Sequence, residues 1–191
     1  QHDVQAPLRW FRDLYPDLDV DRATLLGFSF AGQAQLTSFG PLSVPLVSAG
    51  SVAEIVELLT YLPLITTAIN AQFRPNDQGL TVGLWGHTGD RALDCLAVTY
   101  TGSALLRLLD MLVSDALTVT LHLSWSAPVS LNKLAAEMVL AGRLFFDAPM
   151  SYLHVPVNAL NEVCRFSDPL AYRLAVAELR RTLDEQSGAT S

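Results

Sequence analysis

The chain has 191 residues, half of them hydrophobic and 16% charged, with a formal net charge of −7. That length suits one domain with its own core, and the composition is too apolar for disorder. The 12 Lys and Arg are spread singly apart from Arg180-Arg181, which excludes the clustered cations that a nucleic-acid surface uses to displace counterions. Cys95 and Cys164 have neither metal-ligand spacing nor the density of a disulfide framework, so reduced thiols and a cytoplasmic location are expected. Gln1-His2-Asp3 shows no basic and apolar leader pattern, and no apolar run approaches the roughly 18 residues of a membrane span. No membrane partner is therefore expected.

Residues 7–15 form a short amphipathic segment closed by Tyr15-Pro16. Asp19 or Asp21 then opens a helix with Ala23, Leu26, Gly27, Phe30 and Ala34 at helical spacing. Residues 39–50, with two prolines and two glycines, read as a connector. Ser51 and Glu54 make a capping box before the stripe Val52, Ile55, Val56 and Leu59, and Pro63 bends or restarts a helix that could run on through "LITTAIN". Residues 79–86 and 92–100 read as two strands around the turn "GHTGD". Residues 102–115 follow as a helix too apolar to be exposed on all sides. In 117–125 the alternation is cleanest: Leu117, Val119, Leu121, Leu123 and Trp125 face one side, Thr118, Thr120, His122 and Ser124 the other. A helix is predicted from the cap Ser130 to Gly142, with Leu131, Leu134, Met138 and Val139 inward. "RLFFD" and "YLHVPV" add two short strands, and Asp168-Pro169 launches a helix to about Glu185. There is no internal repeat. The class that results is α+β, a single domain with a small mixed sheet packed by several helices.

Ser29 stands in Gly27-Phe28-Ser29-Phe30-Ala31, one residue from the G-x-S-x-G elbow of hydrolases. The elbow needs a strand entering and a helix leaving the serine, whereas here one helical pattern runs straight through it. Ser29 reads as a helix serine, and a small serine hydrolase is the least favoured function. His87, His122 and His154 fall on or beside three separate strands without ligand spacing, so no metal site is predicted. Asp90 and Asp94 flank Arg91 in the manner of local ion pairing. Gly83, Gly86 and Gly89 lack phosphate-loop spacing, and no cofactor motif is present. What remains is the aromatic and polar mixture of Trp85, His87, Tyr100, His122 and Trp125, the material of a small-molecule pocket. Trp85, Tyr100, His122 and Trp125 are the candidate ligand-binding residues.

Leu26-Gly27, Phe39-Gly40-Pro41-Leu42, Ala49 through Glu54 and Tyr61-Leu62-Pro63-Leu64 occur in an order that resembles a known family. So do "TVTLHLSWSAP", with His122 and Pro128, the segment "AGRLFFDAPMSYLHVPVNALN", and Asp168-Pro169. Over about residues 20–185 the chain is similar to the N-terminal regulatory, arabinose-binding-like domain of AraC/XylS-type transcription regulators. It departs from that pattern at Leu131-Asn132-Lys133-Leu134, where an aromatic and an acidic residue are commoner. The resemblance implies a non-enzymatic module that senses a small, mostly hydrophobic effector and forms a homodimer. Residues 1–185 would be this domain and 186–191 the start of a linker. DNA would be contacted only through a C-terminal domain of roughly 100 residues with two helix-turn-helix units, absent from this chain. A dimerisation module without a ligand is the alternative. Self-association is expected through the helical segments 102–115 and 168–185, whose apolar positions exceed one core-facing stripe.

Overall fold

The structure, a computed structural model, describes residues 5–114 and 118–189. In chain order the helices and strands are α1 (Gln5–Leu14), α2 (Val20–Gln33), α3 (Ser43–Ser48), α4 (Val52–Glu57), β1 (Ile69–Asn76), β2 (Gly79–Gly86), α5 (Arg91–Leu112), β3 (Thr120–His122), α6 (Lys133–Leu140), β4 (Leu144–Phe145), β5 (Tyr152–Pro156), α7 (Val157–Leu160) and α8 (Pro169–Ala189). Two 3-10 stretches, Leu36–Leu42 and Leu58–Leu64, join the early helices. The sheet runs β1-β2-β5-β3-β4, antiparallel except for the parallel pair β3/β4. It is an α+β fold, with helices gathered on the inner face of a mixed sheet.

Several elements follow from local chemistry. Asp19 caps α2 by accepting from the Arg22 amide at 2.8 Å, and Asp168 caps α8 by accepting from the Ala171 amide at 3.1 Å. Ser51 accepts from the Glu54 amide at 3.3 Å, while the Glu54 carboxylate reaches past the cap to the Gly50 amide at 2.7 Å. The β1/β2 hairpin turns on Asn76, whose side chain accepts from the Gln78 amide at 2.8 Å. Gly79 then holds a φ of +142°, and a Cβ there would lie 2.1 Å from the Val155 carbonyl oxygen.

The structure corrects four expectations. The strand expected at 92–100 and the helix expected at 102–115 are one helix, α5, opened by Asp90, which accepts from the amides of Ala92 and Leu93. Fifteen of its 22 residues are buried, so its sequence carries no amphipathic period to read. Gly102 sits inside it because Leu121 of β3 packs there; a Cβ would come within 2.6 Å of the Leu121 side chain. The helix expected through "LITTAIN" ends at Leu64, and Ile69 begins an edge strand, where Pro75 costs no ladder bond. The connector at 39–50 is largely helical, as the second half of a 3-10 stretch and all of α3. The helix predicted from Ser130 is capped instead by Asn132, which accepts from the Ala135 amide at 3.0 Å, and Val139 is 40% exposed rather than inward. Gly142 ends the segment with a φ of +71°.

The alternation read in 117–125 holds, with Val119, Leu121, Leu123 and Trp125 buried, although the ladder itself covers Thr120–His122 and Leu117 lies outside the described residues. α5 is a helix long and apolar enough to cross a bilayer by composition, but 72% of its apolar window is buried inside the protein. It is the core helix. The segment 102–112 therefore faces the interior, whereas α8 keeps Leu170 and Leu174 exposed. α8 continues past Glu185 to Ala189.

Candidate functional site

α5 separates two concavities. Three sides of this helix meet three environments. Against α2 it presents Thr99 and Arg107; Gly27 of α2 lies so close that a Cβ there would be 2.8 Å from the Thr99 Cβ. The Arg107 guanidinium donates to the carbonyls of Ala31 (2.6 Å) and Ala34 (3.4 Å), closing the C-terminal end of α2. The second side, through Leu96, Ala97, Tyr100, Thr101, Leu105 and Leu108, lines a cavity of about 360 Å³. The third, through Arg91, Asp94, Cys95 and Val98, lines an open groove of about 560 Å³.

The cavity, which opens in part to solvent, is lined on its other sides by the two 3-10 stretches, α3, α4 and Ile69. Its walls are Leu, Ile, Phe and Ala side chains, and its polar groups are hydroxyls: Ser38, Thr66, Tyr100 and Thr101. Thr66 is engaged, accepting from the Ala68 amide at 2.9 Å. Burial pushes the Tyr100 hydroxyl above its ordinary pKa, so it stays a neutral donor at physiological pH. No charged residue lines this space.

The groove lies between the end of β2 and the first turns of α5, floored by the loops around Ser124 and Ser151. Trp85 and Trp125 stand on its walls with Met150. Trp125 is fixed, since its indole N–H donates to the Thr24 hydroxyl at 2.8 Å, and Thr24 in turn donates to the Val20 carbonyl at 2.7 Å. Trp85 is 39% exposed. The Cys95 thiol faces the groove with its pKa pushed up to about 11 by burial, which keeps it protonated and unreactive.

The four candidate residues thus divide. Trp85 and Trp125 meet at the groove, and Tyr100 lines the cavity across α5. His122 belongs to neither: on the outer sheet face its ring stacks between Phe145 (centroids 4.8 Å apart) and Tyr152 (4.3 Å), with Nε2 2.9 Å from the Thr120 hydroxyl. Burial, then the neighbouring His154, lowers its pKa. Among the described residues no group of three or more His, Cys, Asp or Glu could hold a metal. Ser29 lies inside α2, exposed, and its hydroxyl accepts from the Asn132 side-chain amide at 3.3 Å. Sequence reasoning missed most of the cavity wall, because leucines contributed by short helices look the same whether they face a void or a neighbour. It also passed over Arg91 and Asp94 as local ion pairing, since with 92–100 read as a strand nothing in the sequence put the two on one helix face.

No protein-family model matches the chain, and no curated protein matches it. Among solved structures it is similar to the crystal structure of the transcriptional regulator CdpR from Pseudomonas aeruginosa, with a TM-score of 0.63 and 16% identity over 93% of this chain. The match spans 62% of that protein's chain, so this chain corresponds to less than two thirds of its length. At that identity the likeness is one of fold, and this chain has the fold of the matching part of that regulator.

Proposed function

We propose that the chain is the effector-binding domain of a cytoplasmic transcription regulator of the AraC type, and that its effector is a small, mostly hydrophobic molecule held in the cavity beside Tyr100. The observation that carries this reading is the cavity itself. Interiors pack with few voids larger than a water molecule, and about 360 Å³ lies within the usual range for ligand pockets. The uncharged lining favours an apolar ligand, and the hydroxyls of Tyr100 and Thr101 supply orienting hydrogen bonds. The fold shared with a longer transcriptional regulator supports the same reading, with a DNA-binding domain carried elsewhere in the protein. Because α5 is at once a cavity wall and the partner of α2, a ligand with unequal affinity for two positions of α5 shifts their populations. α8, with its exposed Leu170 and Leu174, is the surface for a homodimer.

A thermal-shift screen of hydrophobic acids, sterol-like compounds and aromatic metabolites tests the proposal. At about a hundred times its dissociation constant the effector stabilises the fold by about 2.7 kcal/mol. For a domain of this size that raises Tm by roughly 5–11 °C. Ala97→Phe, which fills the cavity from α5, is expected to keep the fold and abolish the shift. A shift that survives Ala97→Phe would place the ligand elsewhere and overturn the assignment to this cavity.

A further inference from the structure

The groove on the opposite side of α5 has a different chemistry from the cavity. Its walls are aromatic and apolar, namely Trp85, Trp125, Met150 and Val98, but its mouth carries two opposite charges. Arg91 and Asp94 lie three residues apart on α5, on neighbouring positions of one helix face. They form no ion pair with each other, and among the described residues the Arg91 guanidinium has no carboxylate partner. Asp94 is held in place through one oxygen, Oδ1, which accepts from the Thr88 amide (2.9 Å) and the Thr88 hydroxyl (2.5 Å). Its position depends on Gly86, where any Cβ would fall within 2.4 Å of that same oxygen. The other oxygen, Oδ2, accepts no hydrogen bond among the described residues. On the floor, the Ser151 hydroxyl accepts from the Ser124 amide at 3.0 Å and donates to the Ser124 hydroxyl at 3.3 Å.

We infer that this groove is a second binding site, for a small zwitterion with an aromatic or bulky apolar body, of which an aromatic amino acid is the simplest case. The geometry pairs a ligand carboxylate with Arg91 and a ligand ammonium with Asp94, while the apolar body lies against Trp85, Trp125 and Met150. A ligand with the anion alone would face the Asp94 carboxylate unpaired, and one with the cation alone would face Arg91; each is disfavoured by the charge it lacks. An uncharged apolar molecule belongs in the cavity instead. The inference stands independently of the proposed effector, because the two sites share α5 but no lining residue.

The test uses the full chain and three probes titrated calorimetrically at millimolar concentrations: L-phenylalanine, phenethylamine and 3-phenylpropionate. L-Phenylalanine is expected to bind, and each singly charged analogue to bind about tenfold or more weakly. Arg91→Gln is expected to weaken L-phenylalanine by a similar factor while leaving phenethylamine unchanged or tighter. Trp85→Leu should weaken all three, and its exposed position keeps the fold intact. The cavity-filling Ala97→Phe should leave L-phenylalanine binding unchanged, which separates failure of this site from failure of the effector cavity. No heat with L-phenylalanine, equal binding of 3-phenylpropionate, or indifference to Arg91→Gln would each overturn the inference.

Discussion

At the scale of single residues, two polar groups in apolar surroundings carry measurable weight. The Thr24 hydroxyl, fully buried, accepts from the Trp125 indole and joins α2 to the end of the β3 segment. Thr24→Val keeps the shape and leaves a buried N–H without an acceptor, a loss of about 1–3 kcal/mol. Chemical denaturation should show that loss, and adding Trp125→Phe should cost less than the two single changes summed, since the orphaned donor disappears. His122 sets a pH dependence. Burial first and His154 second hold its folded-state pKa below the ordinary 6.5, so the folded protein favours the neutral ring. The unfolded chain takes up the proton first as pH falls. Its contribution is therefore fully present above about pH 6.5 and is lost as pH drops from there toward the folded-state value. Tm measured from about pH 7.5 down to about pH 5.5 should fall, and His122→Gln should flatten part of that slope. An unchanged slope in the variant would show that the stacked ring titrates normally.

Among the elements, the contact between α2 and α5 is the tightest test of packing. Gly27→Ala would raise helix propensity by about 1 kcal/mol, and in an exposed helix it would stabilise. Here the new Cβ would sit 2.8 Å from the Thr99 Cβ and 3.1 Å from the Leu96 carbonyl, so the helices must separate. Overpacking of this kind costs about 1–3 kcal/mol, and the net change is expected to be destabilising. Thr99→Ala in the same background removes only the contact to the Thr99 Cγ2, 2.9 Å away, and a buried hydroxyl that has no hydrogen-bond partner; the Cβ contact stays. Partial recovery of Tm in the double variant is the expected result. The same pair bears on function, because Leu96 and Ala97 on this stretch of α5 line the cavity. A shift of α5 away from α2 should alter ligand affinity as well as stability.

For the whole molecule, the proposed homodimer needs a surface to form on. Of the two segments that the sequence offered for self-association, 102–115 falls in the core helix over 102–112, while α8 leaves Leu170 60% and Leu174 64% exposed one turn apart. Phe166 and Val163 before the helix are exposed too. Sedimentation velocity is expected to show a dimer at high concentration, and Leu170→Glu with Leu174→Glu to convert it to monomer without lowering Tm. A wild-type chain that stays monomeric at every concentration would remove the dimer from the proposed function.

What the sequence determined by itself was whatever depends on neighbours along the chain. The caps at Ser51 and Asp168, the strand β2, the inward row of Val119, Leu121, Leu123 and Trp125, and the helical setting of Ser29 all follow from spacing and local hydrogen bonding. The tertiary structure decided whatever depends on being surrounded. α5 was illegible because burial on nearly every side erases the period that marks a helix, and Val98-Thr99 in it favour strand when read locally. β1 was missed because an edge strand with Asn70, Gln72 and Arg74 on its outer face has too few apolar positions to announce itself. The candidate site shows the same division. The aromatic content was visible in the sequence, but a one-residue rotation along α5 decides whether a side chain faces groove or cavity. Cys95 enters one and Leu96 the other, and only the packing of α2 and the sheet around that helix sets the rotation.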